Sequence, residues 1–232
     1  MESNQVEKFI EQEIELYGDE LALEHSQIPV KTYHSPVQSA AQPQPANSKV
    51  QEPQPQQPEP ALDPSQCYRC TGANDVKILF DGNPNAPRLL ISTMPTQQDI
   101  QAGALFQGES GQLLDKILEA IDLSRQDFCI TTAVKCKLEN AIAAKRHCRP
   151  FLVDQIQKTE PKLILCMGEL AAQVLLNRSE SVSELRQGVH EFHNAAVIVT
   201  FHPNDMLKDE SLKRPTWADI QRFRALNEKL KI

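Results

Sequence analysis

Four short apolar, β-branched runs recur from Arg88 onward: RLLIST, FCITTAV, KLILCM and AAVIVTF. Helical stretches separate them, SGQLLDKILEAI, AAKRHCRPFLVDQIQK and GELAAQVLLN, and Leu113, Leu114, Ile117, Leu118 and Ile121 mark a helical stripe in the first. Runs of β-branched residues that are apolar on both faces belong in a parallel sheet covered by helices on each side. The pattern therefore predicts an α/β fold, a three-layer α/β/α arrangement around a central parallel four-stranded sheet. Gly168 is placed to open the helix after the third strand, and Pro215 to sit in the first turn of a last helix. Ligands of such sheets bind beyond the carboxyl ends of the strands. Those ends carry MPTQQD, KCKLEN, GEL and HPNDML.

The rest of the chain divides by composition. Residues 25–66 hold nine of the sixteen prolines, nine glutamines and no glycine, which predicts a disordered, extended linker. Before it, Val6, Phe9, Ile10, Ile14, Tyr17 and Leu21 recur at helical spacing among acidic residues, so residues 1–24 are expected to form an amphipathic helix on that tether. Such a helix suits docking to a protein partner. About 166 residues remain from Cys67 onward, enough for one domain with a substantial core. The net charge of −7 belongs to the arm: residues 1–66 carry three Lys/Arg against eleven Asp/Glu, residues 67–232 twenty-one against twenty. No apolar run is long enough to span a bilayer, and the acidic first residues do not suit a secretory signal. The expected location is cytoplasmic.

Six cysteines are present, and two of them, Cys129 and Cys166, lie inside apolar strands as core thiols. Cys67, Cys70, Cys136 and Cys148 instead occupy polar, Lys/Arg-flanked segments, with a C-x2-C pair at the first two. In a reducing compartment, four grouped thiols point to a metal or iron–sulfur site rather than two disulfides. Beside them Lys135, Lys137, Lys145, Arg146 and Arg149 fall within fifteen residues, opposed by Glu139 alone. That density is read either as a solvated surface or as a phosphate-contacting patch on DNA.

Taken in order, CYRC, LFDGNPNAPRLLIS, GALFQGESGQLL, ITTAVKC, CRPFL, MGELAAQVLL, LRQG, TFHP and the closing Lys…Trp-x-Asp-Ile resemble the segments of the iron–sulfur uracil-DNA glycosylases, family 4 of their superfamily. The resemblance is collinear over residues 67–224. It implies that Cys67, Cys70, Cys136 and Cys148 hold a structural 4Fe–4S cluster, although zinc also accepts four thiolates. It further implies a base flipped from DNA into a pocket and an oxocarbenium-like transition state. Phe106 matches the aromatic that stacks on the base. His202 matches the histidine that donates to the uracil oxygen, and Asp99 is the carboxylate left to orient water or offset sugar charge.

Three segments depart from the family pattern. Ser92-Thr93-Met94-Pro95-Thr96 stands where the family has Gly-Glu-x-Pro-Gly, so Thr93 replaces the glutamate. Thr132 stands where an asparagine reads the pyrimidine edge, and Asn204–Lys208 replaces Ala-Tyr-Leu-Leu-Arg. Two readings result. One is a divergent glycosylase excising uracil for base excision repair, acting as a monomer on DNA. The other is a weak or inactive glycosylase-like adaptor that binds DNA or a replication or repair protein, with residues 1–24 as the docking element.

Overall fold

The computed structural model describes residues 78–138 and 141–232, together with Cys67, Cys70 and the two-residue strand Val30–Lys31. The helix expected at 1–24, and residues 25–66 apart from that strand, lie outside the described residues.

Among the described residues seven strands make one sheet: β1 (Val30–Lys31), β2 (Asp81–Gly82), β3 (Arg88–Ser92), β4 (Cys129–Thr132), β5 (Leu163–Met167), β6 (Val189–Phe192) and β7 (Ala195–Thr200). Their spatial order is β1-β6-β7-β5-β3-β4-β2. The four runs recognised in the sequence are its centre, mutually parallel in the order β4-β3-β5-β7. Every residue of β3, β4 and β5 is buried, as helical cover on both faces requires.

Three strands were not anticipated. β2 runs antiparallel to β4, β6 antiparallel to β7, and β1 parallel to β6. The β6–β7 hairpin turns on His193 and Asn194, both at positive φ (46° and 65°). Two consecutive left-handed residues are what a two-residue hairpin loop with the sheet's own twist demands, and Asn tolerates that conformation better than most residues.

The helices are α1 (Gln97–Ala102), α2 (Glu109–Glu119), α3 (Ile142–Thr159), α4 (Glu169–Leu176), α5 (Val182–Leu185), α6 (Pro203–Lys208) and α7 (Lys213–Leu230). The stripe Leu113, Leu114, Ile117, Leu118 and Ile121 is buried in the main core. Gly168 caps the start of α4, and Pro215 sits in the first turn of α7. Helix α3 packs on α4, α2 on α6, and α7 lies against β7 and β5.

The chain steps from β3 to β4 on one side, then returns to place β5 on the other. The strand order thus reverses at β3, the kind of switch point at which open α/β sheets bind ligands beyond the carboxyl ends. At that point Gly168 has φ +97°, and a Cβ on it would lie 2.8 Å from Thr93 Cγ2 and 3.2 Å from His202 Cβ. Only glycine lets the three strand ends approach so closely.

Candidate active site at the strand ends

The strand ends bring together Ser92, Thr93, Thr132 and His202, and the loop before α2 lays Phe106 on the His202 ring. Ser92 and Thr132 are register partners on adjacent parallel strands, so their side chains share a face. Ser92, Thr132 and His202 are all buried.

His202 caps α6. Its Nδ1 accepts the backbone N–H of Asn204 at 3.1 Å. A ring nitrogen that accepts carries no proton, so in the neutral ring the proton sits on Nε2. Nε2 lies 2.9 Å from Ser92 Oγ and donates to it. Burial lowers the His202 pKa to about 4, although Asp205 and Asp99 nearby act to raise it. The imidazole is therefore a neutral donor at physiological pH.

Phe106 stacks on that ring, centroids 5.6 Å apart and planes 13° apart. It has φ +56°, an unusual conformation for a bulky residue, and its loop is pinned from three sides. Arg125 donates to the carbonyls of Leu105 and Phe106, both at 3.0 Å, and is itself held by Asp115. Leu105 N–H donates to Asp81 at 2.7 Å, and Gln107 N–H to Asp99 at 2.8 Å. Gly111 completes the fit: a Cβ there would fall 1.7 Å from the Phe106 carbonyl oxygen. The GALFQGESGQLL motif flagged Phe106, but nothing local in the sequence flagged Arg125 or Asp81 as its supports.

Asp99 is buried and does structural duty. It is the third residue of α1 in a capping box with Thr96, its Oδ2 accepting the Thr96 N–H at 2.8 Å. With Gln107 on Oδ1, each carboxylate oxygen holds one backbone donor and keeps one lone-pair site for another. Thr93 is half-buried, and its carbonyl accepts the Val134 N–H at 2.9 Å. Thr132 Oγ1 is buried and has no hydrogen-bond partner among the described residues. An orphaned buried hydroxyl costs stability unless something else meets it.

The basic run does not act as one patch. Lys135 is 1% exposed, which corrects its reading as a phosphate contact. Its ammonium points inward, donating to Thr131 Oγ1, the Thr132 carbonyl and Gln155 Oε1. Burial lowers its pKa to about 7, opposed by the Cys148 and Cys129 thiols. Alternation explains the error: Lys135 follows β4 on an inward position, which a count of basic residues does not see. Lys145 and Arg149 are half-buried one helical turn apart, and they reach α4 at Gln173 Oε1 and the Val174 carbonyl. Lys137 and Arg146 are exposed.

Cys136 and Cys148 are buried and Cys67 and Cys70 half-buried, none of them in a disulfide. Cys148 feels both Cys67 and Cys70 electrostatically, and the Lys135 backbone N–H donates to its sulfur. Cys136 directly follows Lys135 in the chain. Cys70 packs against the small apolar cluster of Val134, Ala144 and Cys148, and its sulfur lies 3.8 Å from His147 Nδ1. Among the described residues no group of three or more His, Cys, Asp or Glu side chains is arranged to hold a metal ion. Four thiols are a donor set that either a tetrahedral zinc or an iron–sulfur cluster accepts. Cys129 and Cys166 are buried in the main core, and burial raises both thiol pKa values, as their reading as core cysteines requires.

A second polar centre lies where β7 meets α7. Buried Asp219 accepts from Arg186 Nε (2.7 Å) and Nη2 (2.9 Å), Arg222 Nη2 (2.6 Å) and Thr200 Oγ1 (2.8 Å). Arg186 also donates to the Pro215 carbonyl at 2.6 Å and lies over the Phe201 ring. The LRQG and Trp-x-Asp-Ile segments therefore meet each other and bind the fold together.

Residues 79–230, more than half the chain, match the family model described as the uracil DNA glycosylase superfamily. The type-4 uracil-DNA glycosylase of Archaeoglobus fulgidus is 27% identical over 154 residues, 61% of this chain and 77% of the relative. That of Pyrobaculum aerophilum is 27% identical over 147 residues, 58% and 75%. That of Thermotoga maritima is 26% identical over 160 residues, 66% and 83%. No described helix is long and apolar enough to cross a membrane.

Proposed function

The chain belongs to the uracil-DNA glycosylase superfamily, and from that premise we propose that it hydrolyses the N-glycosidic bond of uracil in DNA, in the cytoplasm, as a step of base excision repair. The observation that carries the reading is His202: neutral, its proton placed on Nε2, stacked on Phe106 at the ends of the parallel strands. A departing uracil anion needs a neutral, preoriented hydrogen-bond donor, because a fixed dipole in a buried site stabilises developing charge without reorganising. Phe106 offers the flipped base an apolar wall, and the unpartnered Thr132 hydroxyl offers its edge a polar contact. Asp99, held in orientation by two backbone donors, contributes negative charge toward the sugar and a lone pair for the attacking water.

Single-turnover incubation with uracil-containing single- and double-stranded oligonucleotides tests this. Excision is expected, lowered on the order of a hundredfold or more by His202→Ala and strongly by Asp99→Asn. Absence of released uracil from the wild type would overturn the enzymatic reading and leave a DNA- or protein-binding adaptor.

In the same reading Cys67, Cys70, Cys136 and Cys148 hold a 4Fe–4S cluster whose part is structural, tying the segment before β2 to the loop after β4 and to α3. Anaerobically purified protein should be brown, and Cys136→Ala should lose both colour and stability. Colourless protein with stoichiometric zinc would refute the iron–sulfur assignment. Lys137 and Arg146 are the exposed cations left to meet phosphates, and changing both to Gln should shallow the logarithmic salt dependence of DNA binding by about two units. An unchanged slope would make them solvated surface. Residues 1–24, on the 25–66 linker, are assigned to docking a replication or repair protein, and pull-down by the isolated 1–24 peptide checks it.

A further inference from the structure

Two hydroxyl groups at the strand ends lack an acceptor for their protons. Among the described residues Thr132 Oγ1 has no hydrogen-bond partner, and Ser92 Oγ has one, His202 Nε2. Because Asn204 N–H occupies His202 Nδ1, the proton of that second contact belongs to the histidine, and Ser92 accepts it. The Ser92 O–H is then left to point elsewhere. Ser92 is 5% exposed and Thr132 0%, so bulk water is a poor substitute for either. The two residues face the same way on neighbouring strands. A pair of buried donors with nothing to donate to marks the position of a ligand that brings acceptors.

We infer that Ser92 is a catalytic residue that hands the hydrogen bond of His202 on to the base: His202 Nε2–H donates to Ser92 Oγ, and Ser92 Oγ–H donates to a carbonyl oxygen of the leaving base. This deepens the glycosylase reading and rests on it. A hydroxyl that already accepts from one donor is polarised and becomes a stronger donor itself. The relay also accounts for a serine in a position where the resembling family has glycine, since a side chain there intercepts the histidine. His202 acts in it as a positioning and polarising residue, and no proton changes owner in the resting state. Thr132 supplies a second, rotatable hydroxyl to the same edge. The ligand class is a base with at least two carbonyl acceptors, uracil first.

The test compares Ser92→Ala, Ser92→Thr, His202→Ala and the Ser92→Ala/His202→Ala double variant in single-turnover excision of uracil. The relay requires Ser92→Ala to lose on the order of a hundredfold and the double variant to be no slower than the slower single one. Ser92→Thr should retain most of the rate, because it keeps the hydroxyl. Melting temperature and the ¹⁵N signature of the Nε2–H tautomer should persist in Ser92→Ala, because Asn204 still occupies Nδ1. Wild-type or faster excision by Ser92→Ala would overturn the relay, and would mean that His202 reaches the base directly with Ser92 as its competitor. Additive losses would overturn it too. If the wild type excises nothing, the glycosylase reading fails, and binding decides the relay separately. Fluorescence anisotropy with an oligonucleotide bearing uracil, against the same one bearing an abasic analogue, should show a preference that Ser92→Ala removes and Ser92→Thr keeps. Equal preference in wild type and Ser92→Ala would refute it.

Discussion

The polar centre around Asp219 and the polar centre around Ser92, Thr132 and His202 lie on the same sheet and are built on opposite principles. At Asp219, four donor contacts from three residues saturate both carboxylate oxygens. At the strand ends, one hydroxyl is orphaned and another has a proton without an acceptor. The first arrangement is complete without a ligand and stabilises the native state. The second is incomplete until something brings it an acceptor.

Asp219→Ala gives the largest expected effect. It leaves two guanidinium groups facing a vacated buried position, and should cost about 3–5 kcal/mol, read as a fall in the urea midpoint at unchanged slope. A loss below about 1 kcal/mol would show that the Asp219 centre is dispensable and dissolve the contrast.

Acid should act on the other centre. The folded His202 pKa, about 4, lies below its ordinary value of 6.5, so above pH 6.5 neither state binds the proton and the full stability is present. As pH falls from 6.5 to 4, the unfolded chain takes up a proton that the folded chain refuses. Stability then drops by about 3 kcal/mol, a slope that His202→Asn should lack in parallel urea titrations. Identical slopes would show the ring to be less enclosed than its packing indicates.

Thr132→Val gives the smallest effect and the sharpest distinction. It replaces an unsatisfied hydroxyl with a methyl of the same shape and should stabilise the domain by about 1 kcal/mol. Uracil excision should fall in the same variant. A variant that loses stability would show that Thr132 belongs with Asp219 among the satisfied groups.

The parallel core was legible because its signal is local. β3, β4, β5 and β7 each lie in a short, largely apolar run, and α2 and α7 announce themselves through apolar spacing and a first-turn proline. Strand β6 was missed because VHEF is brief and mixed in polarity, although the His193–Asn194 turn carried a hint. Phe106 and His202 were found through collinear motifs, and the structure sets them ring against ring. Lys135 was misplaced because charge density says nothing about which side of a strand a residue leaves from. Ser92 escaped notice as a participant because its partner is 110 positions away and only the tertiary fold joins them. The LRQG and Trp-x-Asp-Ile segments were quoted as family features without a role, and the Asp219 network supplies one.

That network also bears on the order in which the molecule can be made. Asp219 and Arg222 reside on α7, the last of the described helices, whereas Arg186 and Thr200 leave the ribosome earlier. Until α7 follows them, Arg186 has neither its carboxylate nor the Pro215 carbonyl, and the part of β7 and β5 that α7 covers stays open to water. A nascent chain stalled within α7 therefore displays apolar sheet and an unmatched cation together, the kind of surface that chaperones hold and proteases find. Docking of α7 is thus what joins Arg186 to its carboxylate and closes that side of the sheet.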